Sequence, residues 1–180
     1  GFSEEELSYY TDEKYAHEIG NIQKTVDSYA KKYDTKIPIA VAGGIDTPQK
    51  VKHVLNLGVQ AVQVGTRFVT TEECDADIRY KQAYIKACKE DIVIVKSPVG
   101  MPGRAIKNTM LESVLRGENI PPRKCYHCLA KCDPGKIPYC ITKALIEAAK
   151  GNTEEGLLFC GANAYRAEKI ETVKEVIANL

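Results

Sequence analysis

No sign of charge dominates this chain. Lys plus Arg number 25 against 24 Asp plus Glu, a formal net charge of +1. That balance removes the electrostatic reason to expect a nucleic acid or an anionic membrane surface as partner. No apolar run approaches the roughly 20 residues that span a bilayer, and no signal-peptide pattern opens the chain. The fingerprint G-x-G-x-x-G is missing, which weakens a Rossmann reading. No initiator Met precedes Gly1. Disorder is excluded by composition: 44% of residues are apolar and 27% charged, near the averages of folded domains. The 180 residues suffice for one ordinary domain. Cysteine is not scarce, but its count is odd, at seven. Without a secretory signal an odd count argues against a disulfide framework and for a reducing cytoplasm.

What is present alternates between strand-like and helix-like stretches. "SEEELSYYTDE" offers Ser3 as N-cap and Glu6 three residues on, a capping-box pattern. The stretch from Lys14 to Tyr33 places Ile19, Ile22, Val26, Tyr29 and Ala30 on one helical face. "IPIAVAGGI" is apolar on both faces, as a strand of a parallel sheet is. A helix is predicted next, with Thr47 as N-cap, Pro48 first and Gly58 as the stop, its inner face formed by Val51, Val54, Leu55 and Leu57. "VQAVQVGTRF" is a second strand. One helix is predicted from about Thr71 to Cys88, then a strand in "DIVIVKS". Pro98, Gly100, Pro102 and Gly103 break regular structure after it. Helices are expected in "RAIKNTMLESVLRGE", "ITKALIEAAKG" and "AEKIETVKEVIANL". No internal repeat is evident beyond the two β-α units.

Both strands end in glycine. From Gly43 to Gly65 is about one β-α unit of a barrel, in which active sites lie at the C-terminal strand ends and loops after the last two strands often hold phosphate. Backbone N–H groups reach phosphate oxygens best where no Cβ intervenes, and a helix N-terminus adds partial positive charge. Gly43, Gly44, Gly65 and Thr66 are the candidate cradle, with the Thr66 hydroxyl as a donor and Arg67 either nearby or turned away. The alternative is that Gly43–Gly44 only makes a tight strand-to-helix turn.

"IPIAVAGGI", "LGVQAVQVGTRFVTTEEC" and "SPVGMPGRAIKN", in this order and spacing, resemble the nitronate monooxygenase family, FMN-dependent TIM-barrel enzymes. The flavin-dependent enoyl-acyl carrier protein reductases are close relatives with a similar pattern. The tail "IPYCITKALIEAAKGN…GLLFCGANAYR" is similar to a subgroup of flavin oxidoreductases. The resemblance implies an α/β fold, the C-terminal part of a (β/α)8 barrel, with AGGI ending strand seven and GTRF ending strand eight. A helical extension carrying the Cys-rich segment would follow. Residues 1–97 would be barrel units and residues 98–180 the loop, Cys-rich segment and extension. Ala42, Gly43, Gly44, Gly65 and Thr66 would contact the FMN phosphate, and Gln63 would approach the flavin. A barrel needs at least about 200 residues, and only two or three strands are countable here. The expectation is therefore the C-terminal part of a longer polypeptide, its catalytic His in a Gly-Gly-His segment upstream of Gly1. His17 and His53 read as surface or packing residues. Arg104 would reach a phosphate or an acidic substrate from its Pro/Gly loop, or form a structural ion pair.

"CYHCLAKCDPGKIPYC" has the spacing C-x2-C-x3-C-x7-C. Thiolates at Cys125, Cys128, Cys132 and Cys140 suit a soft metal, as an Fe–S cluster or tetrahedral zinc, with His127 as an alternative ligand. The first three are spaced as in the iron–sulfur segment of dienoyl-CoA reductases, which this segment partly resembles. The other reading is four reduced thiols packing an irregular segment.

The function implied is FMN-dependent oxidation of alkyl nitronates with O2. One alternative is an NAD(P)H-dependent enoyl-thioester reductase or other flavin reductase. A second is a non-catalytic phosphate- and metal-binding module. The partner is a small molecule; oligomeric state stays open.

Overall fold

Short apolar runs that stop at glycine build the first unit. The computed structural model describes residues 11–100, 102–122, 124–130 and 132–180, so the Ser3/Glu6 capping box lies outside the described residues. The chain divides into two compact units, one of residues 11–65 with Ile177–Leu180, the other of Thr66–Val176.

In the first unit, helix α1 spans Asp12–Tyr33. Thr11 caps it by accepting from the Lys14 N–H at 3.2 Å, with Asp12 and Glu13 in its first turn and Lys31 and Lys32 in its last, as the helix dipole favours. Strands β1 (Ala40–Ala42) and β2 (Ala61–Gln63) pair in parallel, Ala42 opposite Gln63. Helix α2 (Pro48–Asn56) connects them. Its predicted signals act as expected: Thr47 Oγ1 accepts from the Lys50 N–H at 3.3 Å, and Pro48 opens the first turn. Gly58, at φ +92°, ends the connection. Ile19, Ile45, Val54 and Val59 form the buried core, with Val41 and Val62 packed against it. Full burial of such a side chain stabilises by about 1.5–3 kcal/mol. The expected face of α1 is only partly used. Ile19 is buried, whereas Ile22 and Tyr29 are about half exposed.

The second unit departs further from the periodicity. The second expected strand ends at Gln63, its "TRF" turning into helix α3 (Thr66–Val69), and the helix expected from Thr71 to Cys88 is shortened to α4 (Ile78–Lys86). The backbone between them is committed elsewhere: Thr70 O accepts from the Glu171 N–H, and Glu171 O from the Glu72 N–H, at 3.0 and 2.9 Å. Buried Lys81 adds its ammonium to the Thr71 carbonyl at 2.6 Å. Helix α4 starts only after its N-cap Asp77, whose carboxylate accepts from the Arg79 N–H and guanidinium. Those hydrogen bonds hold the Asp77 carboxyl down to about 2.

Strands β3 (Ile92–Lys96) and β4 (Pro102–Ile106) form an antiparallel pair. This corrects the expectation that regular structure ends at Pro98 and that "RAI" opens a helix. Pro102 is tolerated because it begins its strand. The outer edge of β4 is paired by distant chain, Ile106 N–H donating to Leu158 O and Cys160 N–H to Arg104 O. Gly103 is needed there, since a Cβ would fall 2.5 Å from the Phe159 ring. Helix α5 is Thr109–Leu115, capped by Asn108, and α6 is Ile141–Ala149. The last helix, α7, covers only Val173–Ala178. Val95 and Ala105 pack on one side of the β3–β4 pair with Leu111, Tyr139 and Leu157. Ile106 packs on the other with Tyr84, Ala148 and Leu158. This is the period-2 division that pleated strands impose.

Candidate cofactor site at the glycine turns, and the cysteine segment

β1 and β2 turn Val41 and Val62 toward the core and leave Ala40, Ala42, Ala61 and Gln63 exposed. Ala42 and Gln63 stand side by side at the C-terminal ends of the two strands. The turn after β1 needs glycine for its backbone, since Gly43 has φ +104° and Gly44 φ +66°. Buried Ile45 anchors the turn from below. Lys50, one turn into α2, donates to the Gly44 carbonyl at 2.9 Å and to Asp46 Oδ1 at 2.7 Å. It draws that carbonyl dipole to itself and adds a cation beside the glycines. Sequence reasoning missed Lys50 and Asp46; their i,i+4 spacing was the available signal.

Gly65 differs from the other two glycines. Its φ is not left-handed, and no atom lies within 4 Å of where its Cβ would be. Neither backbone strain nor internal packing calls for glycine at this position. The space before Gly43 and Gly44 is equally clear. These three positions therefore fit a group approached closely by backbone, which is the requirement of a phosphate.

Thr66, the next residue, begins the second unit. Its Oγ1 accepts from the Gly161 N–H at 2.9 Å, and a Cβ on Gly161 would lie 2.7 Å from that oxygen. Having accepted, the hydroxyl keeps its proton for another acceptor. Arg67 is turned to Glu171, at 3.2 Å, and both side chains are largely shielded. Arg104 lies within β4, not in a Pro/Gly loop, and its backbone oxygen holds Cys160. His17 is exposed on α1 beside Asn21, and His53 is exposed on α2.

Of the seven cysteines, none is disulfide-bonded. Burial pushes the Cys160 thiol up to about 12. Cys140 is the N-cap residue of α6, and Cys128 Sγ lies 3.1 Å from Thr142 Oγ1 in that helix's first turn. Cys125 Sγ accepts from the His127 N–H at 3.4 Å, across a turn in which His127 takes φ +51°. The Cys132 thiol is raised by burial and by Cys125, Cys128 and Cys140. Among the described residues, no three His, Cys, Asp or Glu side chains are placed to hold a metal ion. The four sulfurs are therefore not gathered into a ligand set in this arrangement.

A parallel β-α-β unit with glycine turns at both strand ends defines an α/β protein. The nitronate monooxygenase family model matches residues 9–180, and the chain belongs to that family. It is 37% identical over 87 residues to a probable nitronate monooxygenase of Staphylococcus haemolyticus, covering 48% of this chain and 24% of that protein. With a probable nitronate monooxygenase of Staphylococcus aureus strain Newman it shares 34% over 86 residues, 48% of this chain and 24% of the relative. The matches thus span about a quarter of each curated relative. Among solved structures, FabK from Thermotoga maritima superposes with a TM-score of 0.62 at 26% identity, over 82% of this chain and 44% of FabK. The nitroalkane oxidase from Streptomyces ansochromogenes superposes at 0.55 and 21% identity, over 83% and 41%, a likeness of fold. No described helix is long and apolar enough to cross a membrane.

Proposed function

We propose that this chain supplies the phosphate-holding end of an FMN-dependent oxidoreductase that oxidises alkyl nitronates with O2. Family membership supports the class. The observation that carries the site is Gly65, a glycine with ordinary φ and open space where its Cβ would be. In this reading β1 and β2 are the last strands of a (β/α)8 barrel. Their exposed Ala40, Ala42 and Ala61 are small enough to leave room beside them for cofactor.

The protein's own work at this end is binding. Amides of Gly43, Gly44 and Gly65 would donate to phosphate oxygens, which Gly permits by close approach. Lys50 holds the Gly44 carbonyl at 2.9 Å, drawing its negative end toward the ammonium. Gln63, exposed opposite Ala42, would offer its amide to the flavin. Flavin supplies the electron-accepting chemistry, and the protein holds and polarises it.

The test uses the full-length protein. It is expected to purify yellow and to consume O2 when given an alkyl nitronate. Gly65→Val is expected to lose flavin while keeping its far-ultraviolet dichroism. Oxidation of NAD(P)H with an enoyl thioester, and no nitronate turnover, would assign the reductase chemistry instead. A colourless protein that takes up no FMN would overturn both.

A further inference from the structure

The four clustered cysteines are not core thiols. Residues 121–138 leave the fold at Ile120 and return at Tyr139, where the two residues bridge and Ile120 N–H donates to Pro138 O at 2.7 Å. Between those points no described residue is buried. The usual orientation is inverted: Tyr126 and Leu129 are exposed, at 59% and 42%, while Cys125 and Cys132 are half-buried. A segment this long, without an apolar core, has little to offset its ordering entropy. Segments of this kind are ordinarily fastened by a disulfide or a metal.

Three local contacts already fix positions of these cysteines. The Cys125 sulfur already accepts an amide N–H, from His127. Cys140 occupies the N-cap of the nine-residue helix α6 and makes no side-chain cap bond of its own. Cys128 is held at the same helix end through Thr142. Two of the four cysteines therefore stand at one helix end.

We propose that Cys125, Cys128, Cys132 and Cys140 form a tetrathiolate site for a thiophilic metal, which closes the 121–138 excursion onto the N-terminus of α6. As the chain stands, no three described donors converge. Protonated thiols have no attraction that would gather them. A divalent cation supplies one, each ligand giving up its S–H proton to solvent as its metal–sulfur bond forms, with no change of oxidation state. The site is independent of the flavin reading.

The full-length protein, purified anaerobically, is expected to carry about one metal per chain by elemental analysis. Zinc alone would identify a mononuclear site, and iron with acid-labile sulfide a cluster; either supports the four ligands. Chelated protein titrated with Co2+ should show sulfur-to-cobalt charge-transfer absorption and slower tryptic cleavage at Lys124 and Lys136. Cys132→Ser should abolish that absorption, and Cys88→Ser, outside the segment, should not. Should Cys132→Ser fail to fold, Cys125→Ser carries the same expectation. No metal and no Co2+ band, disulfides among these residues, or a band unchanged in both variants would overturn the proposal.

Discussion

Replacing Gly65 with alanine separates folding from binding. Gly65 has no left-handed φ, and its would-be Cβ meets no atom within 4 Å. An added methyl therefore strains nothing in the fold. Removing a glycine from the unfolded ensemble should then stabilise the protein by about 0.4–1 kcal/mol. Gly43→Ala provides the contrast, because its φ of +104° disfavours any Cβ; a loss of about 1–2 kcal/mol is expected. If a phosphate rests against Gly65, the methyl stands where an oxygen must approach. Losing one hydrogen bond to a charged group corresponds to about 1.5–3 kcal/mol, or roughly ten- to a hundred-fold in FMN affinity. The assay pairs urea unfolding of the flavin-free full-length protein with fluorescence titration of FMN. Equal FMN affinity in Gly65→Ala and the wild type would refute the reasoning, whatever the change in stability.

Leu111 is fully buried between the β3–β4 pair and α6, so Leu111→Ala should cost about 2–5 kcal/mol in denaturant unfolding. Asn108 caps α5 through the Leu111 N–H at 2.9 Å and donates to Thr153 O and Gly156 O at 2.6 and 2.7 Å. Asn108→Ala should cost about 2–4 kcal/mol, the sum of a cap and two hydrogen bonds, and a thermal midpoint unchanged from wild type would contradict this. The Cys160 thiol is raised by burial from 9.0 to about 12. The unfolded chain loses that proton first, so this group's contribution to stability is full below about pH 9 and falls as pH rises toward 12. Cys160→Ala should flatten the decline in unfolding free energy over that window. In the folded protein at pH 8, iodoacetamide should label exposed Cys88 before Cys160.

The helix after AGGI was legible to the residue, because Thr47, Pro48 and Gly58 act within their own turn. The glycine turns were legible for the same reason: φ preference belongs to the residue. Signals of this kind are local, and tertiary context had nothing to reverse. The second unit was less legible. "PGRAIKN" carries glycine, proline and charge, and it becomes strand β4 only because Ile92–Lys96 and residues 158–160 lie on either side of it. Helical periodicity between Thr71 and Cys88 yields to Glu171, about a hundred residues on. The spacing of the four cysteines named a metal-ligating set, yet spacing along a chain does not bring sulfurs together.

The amino-acid sequence by itself determined the family, the β-α-β order and the positions where backbone could be bared. These depend on residue type and short-range conformational preference. Only the tertiary structure decided that Arg67 is committed to Glu171, that Gly161 must lack a Cβ to reach Thr66, and that Gly65 has no internal reason to be glycine. Each of those depends on which atoms stand within a few ångströms, and contacts between residues far apart in sequence exist only once the chain has folded.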